Sequence, residues 1–216
     1  MPKIVGRKIG FTNRGIWPKY GVHQPIWGFV YDQTLIFSVN NKASVSLHGL
    51  ANPRIEPEIC FKLASAPPRS SDPERLLGAI DWVAHSIEIV QCRHADWKVT
   101  LAECLAQNAL HGRLIVGAPI KVSAGLAKDL PKVGLVLQKN GAEVDRGVGA
   151  NVLDSPLLAL AHLVELLANE PDAPPLAAGE IVSTGTLTDA HPVAPGETWR
   201  TELSGLPLQG LEIRFA

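Results

Sequence analysis

Two glutamates placed two residues apart in an otherwise apolar run are the clearest chemical signal in this sequence. The run covers residues 54–61 (RIEPEICF) and is typical of a β-strand. Because successive side chains of a strand point to opposite faces, Glu56 and Glu58 are predicted to share one face. A third glutamate, Glu88, interrupts residues 86–90 (SIEIV), which are typical of a buried strand. A fold that brings the two strands together brings three carboxylates together.

Gathering these carboxylates has an electrostatic cost. Two carboxylates about 4 Å apart repel by roughly 4 kcal/mol at an effective dielectric of about 20. Three of them without a counter-ion must protonate in part or destabilise the fold. A divalent cation removes the conflict, and all-oxygen ligation suits Mg²⁺ or Mn²⁺ rather than zinc. The pattern alone also allows a plainer interpretation, in which Arg54 and Lys62 flank a solvated edge strand and Glu88 bonds to an arginine.

Charge balance and missing motifs argue against several classes of function. The formal net charge is −1 and Lys/Arg clusters are absent from the sequence, which argues against nucleic-acid binding. We find no run of transmembrane length and no signal-peptide core, so we expect a cytoplasmic protein without membrane attachment. Cys60, Cys92 and Cys104 lack CxxC spacing and are expected to be buried structural thiols. The sequence contains no GxSxG, P-loop or GxGxxG motif, so serine hydrolase and nucleotide-binding functions have no support.

The order of strand and helix signals predicts an α+β fold in a single domain, residues 1–216. Asn140-Gly141 predicts a hairpin between strands at 133–137 and 142–146. Strands dominate and helices interrupt them irregularly, which favours mixed sheets over a doubly wound sheet. The other predicted strands are 8–12, 27–31, 35–39, 43–47 and 179–183, and the predicted helices are 75–82 after a Ser71–Glu74 cap, one from Thr100 that stops at Gly112, and 157–168.

Short motifs along the chain carry a resemblance to a known family. They are residues 6–12 (GRKIGFT), Gly21-Val22 with Pro25 and Gly28, 53–58 (PRIEPE), 87–90 (IEIV), 147–153 ahead of Pro156, and 183–186 (STGT). In this order they resemble the fumarylacetoacetate hydrolase superfamily. Within it, the sequence is most similar to the branch of 2-keto-4-pentenoate hydratases and 4-oxalocrotonate decarboxylases.

The resemblance implies a fold, a cofactor and a substrate class. The implied fold is a mixed β-sheet roll of the fumarylacetoacetate hydrolase C-terminal type with a few peripheral helices, assembled as a homo-oligomer. Glu56, Glu58 and Glu88 are implied to hold Mg²⁺ or Mn²⁺. The implied substrates are 2-oxo acids or their 2-hydroxydienoate enols from the breakdown of aromatic rings. A 2-oxo carboxylate presents two oxygens to one hard cation, so the resemblance predicts a metal-dependent hydratase or decarboxylase.

Further site residues follow from the matched motifs. Lys8 is implied to bind the substrate carboxylate or to transfer a proton, and a surface lysine on an edge strand is the alternative. Lys98 is assigned an assisting role, against a solvated charge ahead of a helix. Thr184-Gly185-Thr186 is expected to hold the substrate carboxylate, against a plain turn. Arg93 is assigned to the substrate side of the site, where it orients the carboxylates.

Two of the departures from the family pattern bear on function. Ile26 stands where the hydratases have an acidic residue, and an apolar side chain cannot activate water. This substitution favours the decarboxylase-like relatives. Relatives also carry a helical segment before the GRK motif at residues 6–8, whereas this sequence begins almost at the motif, so we expect the segment to be absent.

Two other functions stay open at the level of the sequence. Acylpyruvate hydrolases of the same superfamily need a positioned water and a general base, for which His23 or His48 are the available equivalents. A metal-binding homologue without turnover is the other alternative. The remaining histidines near the motifs, His85, His94 and His191, lack metal-ligand spacing and are expected to have structural or surface roles.

Overall fold

Two mixed β-sheets with short helices around them make up the fold, in agreement with the predicted class. The computed structural model describes the backbone of residues 1–216 and the side chains of all residues but Lys19 and Tyr20. The helices are α1 Trp17–Tyr20, α2 Pro73–Leu77, α3 Leu101–Ala106, α4 Leu126–Asp129 and α5 Pro156–Asn169. The strands are β1 Ile4–Gly10, β2 Ile26–Tyr31, β3 Leu35–Phe37, β4 Lys42–Val45, β5 Arg54–Leu63, β6 Ile80–Val90, β7 His111–Val116, β8 Ile120–Lys121, β9 Gly134–Lys139, β10 Ala142–Val148, β11 Ile181–Thr186, β12 His191–Pro192, β13 Thr198–Ser204 and β14 Glu212–Phe215.

The larger sheet carries the glutamate strands at its centre. Its order is β2-β1-β11-β5-β6-β7-β3, with β12 added to β5 and β8 added to β6. The smaller sheet has the order β10-β9-β13-β14-β4. Strands β1 and β11 run parallel to each other, whereas β5 is antiparallel to both β11 and β6. Segments far apart in the chain therefore meet at β5.

Strand β5 holds its glutamates on one face because it keeps the period of two that its sequence predicts. Ile55, Ile59 and Phe61 are fully buried in the main hydrophobic core. The antiparallel register with β6 pairs Glu56 directly with Glu88. Like charges directly opposite each other on neighbouring strands destabilise a sheet, so this register requires a compensating positive charge or proton.

Two predicted helices end earlier than expected because their final residues adopt non-helical conformations in the fold. Helix α2 stops at Leu77, and residues 80–82, predicted to be helical, begin β6. Helix α3 begins at the predicted Thr100 capping box, in which Thr100 and Glu103 exchange hydrogen bonds. It ends at Ala106 because residues 108–110 adopt positive φ angles, which break the helix before β7.

The hairpin and the last helix are confirmed. Asn140 and Gly141 have positive φ angles of 50° and 83° and connect β9 to β10, as the Asn-Gly signal predicts. Helix α5 begins after the Ser155 cap, whose side chain accepts a hydrogen bond from the Leu157 N–H. The three cysteines are free and buried, as expected.

Helix α5 packs on the larger sheet through a leucine-rich face. Leu157, Leu160 and Leu163 are fully buried in the core that the sheet and helix share. The segment Gly149–Asn169 is, by length and composition alone, apolar enough to cross a membrane. The expectation that the sequence has no run of that length was therefore wrong. Half of that segment's apolar window is buried inside the fold, as in core helices of globular proteins.

Truncating a fully buried leucine of α5 tests this packing. Leu160→Ala removes a fully buried side chain, so the free energy of unfolding is expected to fall by about 2–5 kcal/mol. Urea denaturation followed by circular dichroism measures the change. Leu166→Ala on the same helix is the matched control: Leu166 is only partly buried, and a loss as large as that of Leu160→Ala would contradict the packing described above.

Candidate metal centre and active site

Three carboxylates converge where β5 and β6 face each other. One oxygen from each of Glu56, Glu58 and Glu88 lies within 4.8 Å of the others. Glu58 and Glu88 are fully buried, and Glu56 keeps partial exposure toward a cavity that it lines. The predicted gathering of the three glutamates is therefore present in the fold, and we call this cluster the carboxylate cage.

A bulge in β11 holds Glu58. The register between β11 and β5 shifts between Ser183 and Thr186, and Gly185 there has a φ of 100°. The Gly185 N–H donates to Glu58 Oε2 at 2.9 Å, and the Ser183 hydroxyl donates to the same oxygen. A Cβ on residue 185 would lie 1.9 Å from the Thr12 hydroxyl oxygen, so only glycine fits. The second oxygen of Glu58, Oε1, is buried and has no hydrogen-bond partner in the described structure.

Glu88 lies between two cationic or proton-donating side chains. Its Oε1 accepts a hydrogen bond from Nδ1 of the buried His111 at 2.7 Å. The Lys8 ammonium lies 3.2 Å from Glu88 Oε2 and donates to the carbonyl of Ala109 at 3.0 Å. On its other side, His111 Nε2 lies 2.8 Å from the Thr34 hydroxyl. Because a carboxylate only accepts, these contacts orient Glu88 Oε1 toward His111 and Oε2 toward Lys8.

Burial and mutual repulsion make two of the three cage carboxyls, Glu56 and Glu58, difficult to ionise. Burial raises the pKa of Glu58 well above its ordinary value, and the charges of Glu88 and Glu56 add to the rise. Burial raises the pKa of Glu56 to about 7, against the opposing charge of Lys8. Burial would also raise the pKa of Glu88, but Lys8 and His111 outweigh it and hold that pKa below its usual range. Burial lowers the pKa of Lys8, but the three carboxylates outweigh burial and keep it raised.

The cage fits a hard divalent cation. A carboxylate oxygen that is buried without any partner, Glu58 Oε1, is costly unless something binds it. Glu88 Oε2 likewise has no hydrogen-bond partner among the described residues, although Lys8 is close. Both oxygens belong to an all-carboxylate donor set, the chemistry that Mg²⁺ and Mn²⁺ prefer. Glu56, Glu58 and Glu88 are therefore the residues that would hold such an ion.

The cage opens into a cavity of about 240 Å³. Its apolar lining includes Phe11, Ile26, Val90 and Leu110. Its polar lining includes the following residues: Lys8, Thr12, Asn13, Arg54, Glu56, Thr186, Thr188 and Asp189. A small polar ligand with an apolar middle matches this combination of walls.

The structure brings most of the predicted site residues together, with one difference inside the TGT motif. Lys8, Gly185 and Thr186 line the cavity. Thr184 is buried and its hydroxyl donates to the Ile59 carbonyl at 2.7 Å, so it supports the sheet instead of facing a ligand. The Thr186 hydroxyl oxygen accepts from the Thr188 N–H at 3.2 Å, which leaves the hydroxyl proton available to the cavity.

Two predicted residues lie elsewhere. Lys98 is 85% exposed and its ammonium lies 3.5 Å from Asp96, because it stands in the irregular segment that precedes α3. Arg93 is exposed and does not line the cavity either, because the chain leaves the sheet after Val90. Their assignments to catalysis and substrate binding have no support from the geometry of the chain. His23 and His48 are also exposed and outside the cavity lining, so neither provides the base that a hydrolase needs.

The histidines show what sequence reasoning missed. His85 is buried with hydrogen bonds to the Glu58 carbonyl and to Thr201, and burial lowers its pKa to about 4. It has the structural role that was expected. His111, which contacts Glu88 directly, was not singled out, although it opens an apolar strand in the sequence. Its contact follows from the register of β6 and β7, which no local pattern reveals.

Comparisons with known proteins find similar sequences over most of the chain. Residues 22–211 match the family described as fumarylacetoacetate (FAA) hydrolase C-terminal. The chain is 36% identical over 206 residues to 4-oxalocrotonate decarboxylase of Pseudomonas sp. (strain CF600), covering 94% of this chain and 75% of that protein. It is 32% identical over 209 residues to 2-keto-4-pentenoate hydratase of Paraburkholderia xenovorans (strain LB400), covering 94% and 74%.

A solved structure extends the similarity to the whole fold. The structure of 4-oxalocrotonate decarboxylase from Pseudomonas putida G7, complexed with magnesium and adipate, superposes with a TM-score of 0.88 at 32% identity. The alignment covers all of this chain and 79% of that one. The chain thus has the fold implied by the resemblance.

Charge neutralisation by a metal predicts a pH-dependent stability. Without metal, the raised pKa values of Glu56 and Glu58 mean that the folded state binds more protons than the unfolded state. The contribution of these two carboxyls to stability should therefore be complete below the ordinary glutamate pKa of about 4.5 and be lost as pH rises through their raised folded values, about 7 for Glu56. Added Mg²⁺ should raise the melting temperature more at about pH 8 than at about pH 5. Thermal unfolding with EDTA or with Mg²⁺ measures both effects.

The isosteric variant Glu58→Gln tests in the same experiment whether Glu58 binds the metal. It should stabilise the metal-free protein at about pH 8, because it removes a buried charge, and it should abolish the stabilisation by Mg²⁺. Glu74→Gln, an exposed glutamate on α2, is the matched control and should retain the Mg²⁺ effect. If Mg²⁺ still raises the melting temperature of Glu58→Gln, or raises that of the wild type equally at both pH values, the proposed metal site in the cage is contradicted.

His111 should control how tightly the cage binds metal. His111→Ala removes the donor to Glu88 Oε1, so Mn²⁺ affinity measured by isothermal titration calorimetry is expected to fall roughly 10- to 100-fold. His111→Asn, which can still donate, should recover part of the loss. His94→Ala serves as the control because His94 is exposed and pairs with Glu103. Equal affinities in the His111 and His94 variants would show that the hydrogen bond has no such role.

Proposed function

The chain belongs to the fumarylacetoacetate hydrolase family, and from this membership and the geometry of the carboxylate cage we propose that it is a divalent-metal-dependent lyase. Its substrate class is 2-oxo acids or their 2-hydroxydienoate enols, of the kind formed in the catabolism of aromatic compounds. Relatives at 32% and 36% identity are a hydratase and a decarboxylase acting on such compounds by name. We propose Mg²⁺ as the resident ion, with Mn²⁺ able to replace it.

One observation carries the proposal: three carboxylates on neighbouring strands, two of whose buried oxygens lack a hydrogen-bond partner in the described structure, border a cavity with apolar walls. A divalent ion held by Glu56, Glu58 and Glu88 supplies Lewis acidity and charge stabilisation for a bound oxo acid. The apolar walls limit access of water, which strengthens electrostatic interactions inside the cavity.

The residues of the chain have separable tasks in this proposal. Lys8 presents a buried ammonium to the cavity and is the group that binds the substrate carboxylate or exchanges a proton with the carbon chain. The Thr186 hydroxyl, whose proton is not committed, donates to the substrate carboxylate. Gly185 cannot do this with its N–H, because that group already donates to Glu58.

Within the lyases, the cavity wall favours decarboxylation. Ile26 is buried and lines the cavity together with Phe11 and Leu110, so this part of the wall has no acid or base to activate water. Loss of CO₂ needs no such base, because the electron pair of the broken C–C bond passes into the conjugated oxo group and a proton then returns to carbon. We therefore propose decarboxylation of a 2-oxo enoate as the main reaction.

Hydration of a 2-hydroxydienoate is the second candidate. Asp189 also lines the cavity, and its exposed carboxylate is available as a base for a water that enters from solvent. This arrangement differs from an acid at the position of Ile26.

A product assay separates these candidates. Purified protein with Mg²⁺ is mixed in turn with 2-oxo-3-hexenedioate, 2-hydroxypenta-2,4-dienoate and acetylpyruvate, while ultraviolet absorbance and released CO₂ are followed. We expect CO₂ from the first compound, no activity in EDTA and no activity in Glu88→Ala. Loss of the dienol without CO₂ supports hydration instead, and cleavage of acetylpyruvate supports a hydrolase. A protein inert toward the panel is a metal-binding homologue without turnover.

The two lysines provide an internal control for the assay. Lys8→Met should reduce the rate at least 100-fold, a loss in the range of general acid–base catalysis. Lys98→Met should leave it near the wild-type rate, since Lys98 is exposed and outside the cavity lining. Comparable losses in both variants would contradict the assignment of Lys8 alone.

A further inference from the structure

Arg54 is a charged group in the cavity that is not part of the carboxylate cage. It lies two residues before Glu56 on β5 and lines the cavity. Its Nε atom is buried and has no hydrogen-bond partner in the described structure. No carboxylate of a described residue lies within the 4.0 Å ion-pair distance of its guanidinium, although the cage is nearby. A half-buried cation without an anionic partner is costly unless a ligand provides one.

Trp97 fixes the orientation of this guanidinium. The Arg54 guanidinium carbon lies 4.2 Å from the centre of the Trp97 ring, which makes a cation–π contact. The ring is itself anchored, because Trp97 Nε1 donates to the Asn52 carbonyl at 3.1 Å. Trp97 also has a φ of 56°, an uncommon conformation for a bulky residue and one that other contacts must maintain. The pair holds a planar set of N–H donors in a fixed place, which is how arginine binds a carboxylate in two-point fashion.

We propose that Arg54, held by Trp97, binds a second carboxylate at the far end of the substrate, so that the enzyme selects 2-oxo dicarboxylates over 2-oxo monocarboxylates. This inference rests on the proposed function, in which the oxo-acid end of the substrate is bound at the carboxylate cage. Lys8, the other cation among the described residues of the cavity lining, contacts Glu88 and Ala109 and is assigned in the proposed function to the oxo-acid end of the substrate. Arg54 is thus the cation left for a second anionic group.

The spacing along β5 fits a short dicarboxylate. Arg54 and Glu56 are two residues apart on one strand, which separates their Cα atoms by about 7 Å. The two side chains lie on the same face, so the cage and the guanidinium border one cavity. An extended six-carbon chain has a comparable length, and the apolar lining between the charged groups, Ile26 and Val90 among it, suits its hydrocarbon middle.

Binding by Arg54 has a definite kinetic consequence in a decarboxylation. The distal carboxylate leaves as neutral CO₂: the bond between it and the adjacent carbon breaks, the electron pair moves into the conjugated oxo group, and a proton later adds to carbon. The guanidinium therefore binds the charged ground state and has no charge left to bind in the product. Removing it should raise KM for the dicarboxylate while kcat stays unchanged or rises.

A matched pair of unreactive ligands tests the inference without turnover. 2-Oxoadipate and 2-oxohexanoate have the same length and the same oxo-acid end, and differ in the second carboxylate. Calorimetry with the Mg²⁺-loaded wild type should give at least a tenfold preference for 2-oxoadipate, the size expected of one buried charge pair. Arg54→Gln should erase the preference by weakening 2-oxoadipate alone. Arg54→Lys, which keeps the charge but not the planar fork, should keep an intermediate preference.

Controls distinguish failure of this inference from failure of the proposed function. Arg75→Gln, on the exposed surface of α2, should behave as wild type, and Arg54→Gln should keep the circular dichroism spectrum of the wild type and still bind Mn²⁺ if the variant is folded. If Arg54→Gln does not fold, Arg54→Lys and Trp97→Leu are measured in its place. Each is expected to show a reduced preference for 2-oxoadipate over 2-oxohexanoate. Equal affinity of the wild type for the two ligands, or equal weakening of both in Arg54→Gln, overturns the role of Arg54 and leaves the oxo-acid site standing. A wild type that binds neither ligand in Mg²⁺ overturns the proposed function and this inference with it.

Discussion

Electrostatic repulsion among three carboxylates is the constraint on which the rest of this structure depends. The register of β5 against β6 sets Glu56 directly opposite Glu88, and the two-residue period of β5 adds Glu58 on the same face. A sheet centre surrounded by isoleucines and leucines is an unfavourable place for such charges. The fold keeps these carboxylates, and their environment raises the pKa of Glu58 well above its ordinary value and that of Glu56 to about 7. Ionising the two groups therefore costs stability, and a bound cation offsets that cost.

The surroundings of the cage show how the fold limits that cost without cancelling it. Each deeply buried glutamate has one oxygen satisfied by protein donors: the β11 bulge serves Glu58 and His111 serves Glu88. The other oxygen of each is left without a hydrogen bond in the described structure. If protein donors bonded every oxygen of Glu58 and Glu88, the cluster would be a stable polar core with no oxygen left to bind a metal. Half satisfaction orients the two carboxylates and keeps one oxygen of each available, as a metal site requires.

The sequence predicts the parts of this arrangement that follow from local periodicity. The alternation in residues 54–61, the Asn140-Gly141 turn, the Thr100 capping box and the apolar helix after Ser155 all act within a few residues, and each is confirmed. The position of His111, the separation of Lys98 from the cavity and the early end of α2 depend on which strands become neighbours, which local patterns do not encode. The homo-oligomer, the single-domain organisation and the cytoplasmic location stay predictions.

The balance of charges in the cavity also gives an order to the binding events. Apart from Asp189, which is exposed to solvent, the charged groups at the site are three glutamates against Lys8 and Arg54. Without a metal, the raised pKa values of Glu56 and Glu58 keep these carboxyls partly protonated, and Lys8 is paired with Glu88, so the site concentrates little positive charge for an anionic oxo acid. A divalent cation would displace the protons and make the same cavity attractive to a dianion. We therefore expect metal to bind before the anionic substrate, at a site whose positive charge is supplied jointly by the ion, Lys8 and Arg54.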